Sequence, residues 1–323
     1  MGAQYRGTTK IRDDLKTIVE KTPMSNIQFI GDRILPPTPV NTPTAQIPEL
    51  TTGTGTKNLD TKRAPSGSFK RGEFTWDAST YYTYEYGYEE PVDNVSMLIN
   101  NDILNEEMMA GIVAVSQLKI AREVRIAAAL FNTTLFTGAA HTEAADVVWS
   151  TAANAVVRKD VNDAYEKLFV KTGIPRTNCH LLMNELAFRY AMASTEVRAD
   201  VKYTLPIDQM SEGQKQGYLA TYLNIGGIDI AASFADTAKL GITDATFGRL
   251  FGTSYALLYV PTPGIASFKF PGIGRQPVYS KFSNDYILES YPEERTDSII
   301  VRAREYRGEF VDVTYGVLIT GII

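Results

Sequence analysis

The chain has 323 residues, with 32 Lys plus Arg against 37 Asp plus Glu and a net charge of -5; at roughly 150 residues per domain, this length suggests about two domains. Its 44% hydrophobic and 21% charged residues fit a sizeable core, the lack of any run of about 18 apolar residues argues against a membrane-spanning helix, and the opening MGAQYRGTTKIRDDL has no apolar stretch of the kind a secretory signal carries. The acidic balance argues against a broad grip on nucleic acid, the single Cys179 excludes an internal disulfide and a Cys-based zinc cluster, and two histidines, His141 and His180, leave little catalytic vocabulary.

Residues 8–22 carry Ile11, Leu15, Ile18 and Val19 at helical spacing, with Asp13 and Asp14 early, and predict a short helix. Pro23 ends it, and Pro36, Pro37, Pro39 and Pro43 favour an extended path. Residues 23–45 therefore read as an arm lying on another surface. The apolar Ile27, Phe29, Ile30, Ile34 and Leu35 argue against a fully disordered tail.

AQIPEL predicts a short strand, and the Gly-, Thr- and Ser-rich stretch after it a long loop. From residue 74 the even positions read Phe, Trp, Ala, Thr, Tyr, Tyr, Tyr, Tyr against polar odd positions such as Asp77, Thr83, Glu85 and Glu89, which predicts one long half-buried strand. At about 3.3 Å per residue such a strand reaches out of a small sheet, as one arm of a projecting hairpin. Residues 51–73 hold Lys57, Lys62, Arg63, Lys70 and Arg71 against Asp60 and Glu73, a net of +3, whereas residues 74–118 hold eight carboxylates and no cation. A basic tip beside an acidic stretch suits contact between identical subunits; two independently solvated faces account for the same charges, and on charge alone are the better reading.

Residues 101–132 predict a long helix, capped by Asn101 or Asn105, with Leu104, Met108, Ile112, Val115 and Leu118 on one stripe and Lys119 and Glu123 paired on another face. From about 145 to 276 the pattern is that of an α/β unit. Asp160 caps a helix stopped by Gly173 and Pro175, CHLLM is a buried strand, and Asn184 caps the helix ELAFRYAMAS. Residues 197–227 read as an excursion or loop, and GIDIAAS, SYALLYV and IASFKF as strands. The remaining segments, PVYSKFSNDYILESYPEE, SIIVRAREYRGEF and VDVTYGVLITGII, predict antiparallel strands packed beside the long helix.

Chemistry is sparse. Cys179 and His180 are strand neighbours and point to opposite faces, which disfavours a catalytic pair. Gly53 and Gly55, like Gly272 and Gly274, complete no phosphate loop. Glu85, Glu89 and Glu90 offer carboxylates that nothing positions as a glycosidase pair. The ladder from Tyr82 to Tyr88 could stack carbohydrate or nucleobase, but burial in a core or subunit interface is the better reading.

The order of parts, and the wording RILPPTPV at 33–40, RAPSGSF at 63–69, YYTYEYGYEEPVDN at 81–94 and VNDAYEKLFVKTGIPRTNCHLLMNELAFRYAMAS at 161–194, resembles the major capsid proteins of tailed bacteriophages, the HK-97 fold. The resemblance implies an α+β chain with an N-arm (1–45), an extended β-hairpin E-loop (46–91), a P-domain (92–145 with 277–323) carrying a spine helix at about 101–132 and antiparallel strands, and an α/β A-domain (146–276). It also implies hexamers and pentamers closing into an icosahedral shell around double-stranded DNA that is held without sequence-specific contacts. Implied partners are a separate scaffolding protein, a portal and decoration proteins, with assembly in the host cytoplasm, no membrane, no cofactor, no metal and no catalysis. Inter-subunit contact candidates are Ile34, Leu35, Lys57, Lys62, Arg63, Lys70, Arg71, Glu85, Glu89 and Glu90. An encapsulin-type nanocompartment shares the fold, and an α/β enzyme with a carboxylate site is the third reading.

Overall fold

The computed structural model describes residues 10–11, 29–50, 62–63, 65, 67–69, 76–96, 106–201, 210–238, 246–264, 267–282 and 285–323. In chain order the elements are β1 (Lys10–Ile11), α1 (Gly31–Ile34), β2 (Pro37–Val40), β3 (Thr44–Leu50), β4 (Trp76–Tyr82), β5 (Tyr84–Asp93), α2 (Glu106–Leu130), β6 (Thr142–Ala144), α3 (Val157–Thr172), β7 (His180–Asn184), α4 (Glu185–Ala193), α5 (Thr195–Val201), α6 (Glu212–Tyr222), β8 (Gly227–Ala231), β9 (Phe234–Asp236), β10 (Phe247–Arg249), β11 (Tyr255–Tyr259), β12 (Gly274–Tyr279), β13 (Ile287–Glu293), β14 (Ser298–Arg307), β15 (Phe310–Val311) and β16 (Gly316–Thr320).

β14 organises one sheet. It pairs antiparallel with β13 on one side and with all ten residues of β5 on the other. Its end meets β12, which carries β2 in parallel and β15 antiparallel. α2 lies on this sheet through Ala110, Ala114, Val115 and Leu118, which pack on Val92, Leu288, Val301 and Ala303. The second sheet runs β6-β16-β11-β7-β8. Its central strands are mostly apolar because both faces are covered, with His180, Asn184 and Thr320 at their ends. Leu181, Met183, Ala256, Leu258, Val317 and Ile319 face the core shared with α3, α4 and α6. Leu182, Leu257 and Leu318 face the C-terminal end of α2, Ile126 and Leu130, together with Ile34 and Leu35.

Several local signals act as the sequence implies. Gly173 closes α3 at φ 67, a left-handed position where its N–H donates to Phe169 O. Asn184 caps α4 by accepting from Leu186 N. Other expectations are corrected. Asp160 is not the cap of α3, which begins at Val157; it lies in the first turn, accepting from Trp149 Nε1 (2.8 Å) and Asp146 N (3.1 Å). Part of the expected loop at 197–227 is α6, started by a capping box between Ser211 and Gln214. Of IASFKF, residues 267–270 form turns rather than a strand. Lys10–Ile11 is a strand on β13 rather than helix, and the rest of the expected helix at 12–22 lies outside the described residues.

The long alternating strand is two strands. β4 pairs with β3 alone among the described residues, and β5 pairs with β14. The break falls at Thr83, whose N–H and hydroxyl both donate to Pro43 O (2.9 and 2.8 Å). The backbone of Gly308 passes so close that a Cβ there would sit 1.8 Å from Tyr82 O. The C-terminal segment also departs from expectation. β13 and β14 lie beside α2, but β16 pairs with β11 and β6 in the second sheet.

Residues 30–40 lie on their own chain, not on another surface. Ile34 (1% exposed) and Leu35 (0%) sit in the core between α2 and the second sheet, and so have no area left for a neighbouring subunit. Leu35→Ala is therefore expected to cost the unassembled chain about 2–5 kcal/mol in urea unfolding, as buried leucines do. Unchanged stability would mean that Leu35 packs elsewhere.

Candidate functional site

Charged groups occupy the join between the two sheets. Arg122 falls on the buried stripe of α2, four residues after Leu118 and four before Ile126. Its guanidinium donates to Glu305 of β14 through Nε (2.9 Å) and Nη2, and reaches Asp32 Oδ2 and Asp285 Oδ1 at 3.1 Å each. Arg125 donates to Glu305 Oε1 and Glu309 Oε1, both at 2.8 Å, and stacks 3.6 Å over the Tyr86 ring. Arg307 donates to Asp285 and to Gln276 Oε1 (3.2 Å). Gln276 in turn donates to Leu35 O (2.6 Å) and Asp32 Oδ1 (2.7 Å). Burial pulls the Arg122 guanidinium down, but Glu305, Asp32 and Asp285 together raise it above its ordinary value.

Glu123 does not pair with Lys119. It turns inward and accepts from the backbone N–H groups of Ile30 and Gly31 (3.0 Å each) and from Ser233 Oγ (3.3 Å). Burial still pushes its carboxyl above the usual range. A second tie fixes the other side of α1, where Arg33 pairs with the buried Asp229 at 2.5 Å. Asp229 also accepts from Tyr259 Oη (2.5 Å) and bonds His180 Nδ1 (3.0 Å). Burial pushes the Asp229 carboxyl up, but the bonds from His180 and Tyr259 and the Arg33 charge hold it below its ordinary value.

The face of β5-β14-β13 turned away from α2 carries an ion ladder. Arg302 bridges Glu289 (2.7 Å) and Glu89 (3.4 Å), and Arg304 bridges Glu289 (2.6 Å) and Glu85 (3.1 Å). Glu85 and Glu89 are therefore balanced within the chain. Glu90 is half-buried and accepts from Tyr88. Lys62 and Arg63 are exposed, with Arg63 4.9 Å from the Phe69 ring; Lys57, Lys70 and Arg71 lie outside the described residues. The tyrosines divide. Tyr81 is buried and stacks on Phe268 at 5.5 Å, whereas Tyr82 and Tyr84 are 56% exposed and Tyr88 39%, so these three are not core. The outer face of α2 is exposed and uncharged along its whole length: Met109, Val113, Gln117, Ala121, Val124 and Ala128. An exposed helix face is ordinarily polar or charged.

The Cys179 thiol is buried and pushed up to about 11, so it is not a thiolate at neutral pH. Among the described residues, no group of three or more His, Cys, Asp or Glu side chains could hold a metal ion, and no helix is long and apolar enough to cross a membrane.

No family model and no curated protein matches the chain. Solved structures do. A phage-related protein from Bordetella bronchiseptica RB50 is 17% identical with a TM-score of 0.67, over 97% of this chain and 97% of the other. The capsid structure of the cyanophage P-SCSP1u gives 11% and 0.57, over 93% and 90%. The mature capsid of bacteriophage PhiM1 gives 12% and 0.54, over 92% and 87%. The chain has the HK-97 capsid fold.

Within this fold the sequence had placed contacts on the arm and loop but had not singled out Arg125, Asp285, Glu305 or Arg307. The available signal was Arg122, a charge interrupting the apolar stripe between Leu118 and Ile126. Glu305→Ala is expected to destabilise the chain by about 3–5 kcal/mol, because Arg122 and Arg307 would remain buried without their shared carboxylate. Glu185→Ala, which breaks exposed pairs with Arg189 and Arg249, is expected to show no comparable loss in the same urea titration.

Proposed function

We propose that this chain is the major head protein of a tailed phage, a structural subunit whose copies close as hexamers and pentamers into an icosahedral shell around double-stranded DNA. The observation that carries this reading is the likeness to capsid structures over more than nine-tenths of this chain. The role is structural rather than catalytic. The protein would reside in the virion after assembly in the host cytoplasm, with a separate scaffolding protein, a portal and decoration proteins as partners. The DNA would be contained without sequence-specific contact, as a net charge of -5 suits.

The surfaces support a subunit that is completed by its neighbours. A two-stranded ribbon is marginal in water by itself, and among the described residues the buried hydrophobics of β3-β4 are Ile47 and Tyr81, which pack with Val40 of β2. A second copy lying against it would cover Tyr82 and Tyr84, residues suited to interfaces because they are apolar in body and polar at the tip. The E-loop would then be the connection between β3 and β4, whose sequence carries the basic residues Lys57, Lys62, Arg63, Lys70 and Arg71. Glu85 and Glu89 already serve Arg304 and Arg302, so a neighbour's basic loop would not rest on them. The P-domain comprises α2 with β5, β13 and β14. The A-domain is the second sheet with its helices, and it takes in β16. The uncharged face of α2 is the other surface that assembly would bury.

Negative-stain imaging and gel filtration of the full chain, alone and with a co-expressed scaffold, are expected to show hexamers, pentamers or shells. A strict monomer at every concentration would overturn the proposal, and shells that hold a protein cargo instead of DNA would point to the nanocompartment reading. Val113→Lys combined with Val124→Lys is expected to leave the circular dichroism of the subunit unchanged and to cut shell yield at least about tenfold, as unpaired buried charges do.

A further inference from the structure

The corner where α3 ends holds a lysine and a histidine that the assembly reading does not use. Lys171 Nζ lies 3.0 Å from His141 Nδ1, 3.0 Å from Gly316 O and 3.4 Å from Val313 O. His141 Nδ1 is itself 3.0 Å from Val313 O. One ring nitrogen cannot serve both partners in the same protonation state. Without a hydrogen it accepts from the lysine; with one it donates to the carbonyl.

We propose that His141 and Lys171 form a proton-operated clasp on the turn that leads into the C-terminal strand. In the closed state the ring is neutral at Nδ1, and the three ammonium hydrogens of Lys171 serve Nδ1, Val313 O and Gly316 O. When Nδ1 takes a proton from solvent, it donates to Val313 O instead. The ammonium then loses two of its three acceptors and faces a second cation 3.0 Å away. The clasp opens by moving Lys171 off Gly316, the first residue of β16. The same corner is tied through the backbone, since Leu318 N donates to His141 O (2.9 Å) and His141 N to Gly138 O (3.1 Å). The loop before β6, the end of α3 and the entry to β16 therefore respond together.

The charges around the pair favour the closed state. Burial and the Lys171 charge push His141 below its ordinary value, against the Val313 carbonyl and Asp312. Burial lowers Lys171 to about 8, with Asp312 opposing. On α3 and β6 the other charged neighbours, Lys167 and Glu143, pair with each other at 2.6 Å, and β16 brings no charged side chain. A histidine whose folded value lies below the unfolded one, about 6.5, gives full stability above that value. It loses stability as pH falls through about 6.5 toward the lowered folded value. Lys171 adds little slope between pH 5 and 7, because it is largely charged in both states there.

This inference rests on the corner's distances and not on the shell reading. Its test uses the purified full-length chain before assembly. The thermal midpoint of the unaltered chain is expected to fall between pH 7.5 and 5.0, and H141Q, whose amide oxygen accepts from Lys171 but takes no proton, is expected to lose at least half of that fall. Ring-13C-labelled histidine gives two NMR signals for the two histidines, and H141Q assigns them. K171M is expected to raise the His141 titration midpoint, the sign of a lost neighbouring cation. A full acid fall in H141Q, or a His141 midpoint unmoved in K171M, would overturn the clasp. If H141Q does not fold, H180Q assigns the two signals and the K171M titration decides alone.

Discussion

The position of every other part follows from the carboxylate of Glu305, buried among the guanidiniums of Arg122, Arg125 and Arg307. β14 supplies two of these four side chains and α2 the other two, so the network sets how the long helix lies on its sheet. A charge cluster of this kind contributes little net stability, since desolvation offsets much of the attraction. Its contribution is directional. Apolar contacts between α2 and β14 would tolerate a shift along the helix axis, whereas paired Nε and Nη2 bonds to one carboxylate do not. Asp32 and Gln276 extend the same network to α1, and Glu123 holds the backbone of Ile30 and Gly31 beside it.

α1 is therefore a bolt. On one side it is fixed by Glu123 and Arg122 of α2, on the other by Asp229 of β8 through Arg33. Between these ties Ile34 and Leu35 fill the gap between α2 and the second sheet. Two sheets with separate cores are held at one angle by a segment of about ten residues. Because each tie uses a group that is buried or nearly so, loosening any one leaves a polar group without compensation. This explains why a short, proline-rich segment, unpromising by propensity, is among the better fixed parts of the chain.

What could be read in the sequence was whatever depends on local periodicity. The runs CHLLM, SYALLY and GVLIT are apolar at most positions because both their faces are covered, and they carry the three central strands of the second sheet. Asn184 and Gly173 mark helix ends by mechanisms confined to neighbouring residues. What could not be read depends on distant partners. The period of two continues through Thr83 although the strand changes sheet there, because the break is made by Pro43 and Gly308, each at least 40 residues away. Gly213 and Gly217 hid α6, and only the Ser211–Gln214 box marked it. The prolines suggested an arm on another surface, yet Pro37 and Pro39 point outward from β2 while Thr38 and Val40 are buried. An edge strand tolerates that arrangement.

The ion ladder changes the electrostatic account of assembly. An acidic stretch next to a basic loop suggests that the loop of one copy seeks the strand of the next, but the two carboxylates best placed for it, Glu85 and Glu89, bond arginines of their own sheet. If copies associate as proposed, long-range attraction between them would be correspondingly weak, and screened further beyond about 10 Å at 0.1 M salt. Among the described residues, the uncovered surfaces without charge are apolar or amphipathic: the tyrosines beside the ribbon and the outer face of α2. Association driven by such surfaces is short-ranged and depends on shape, so it gains little until the angle between neighbours is nearly right. A subunit assembling as proposed would have to carry its geometry internally before it met a partner, and the buried charges that lock α1, α2 and β14 together are the part of this chain able to carry it.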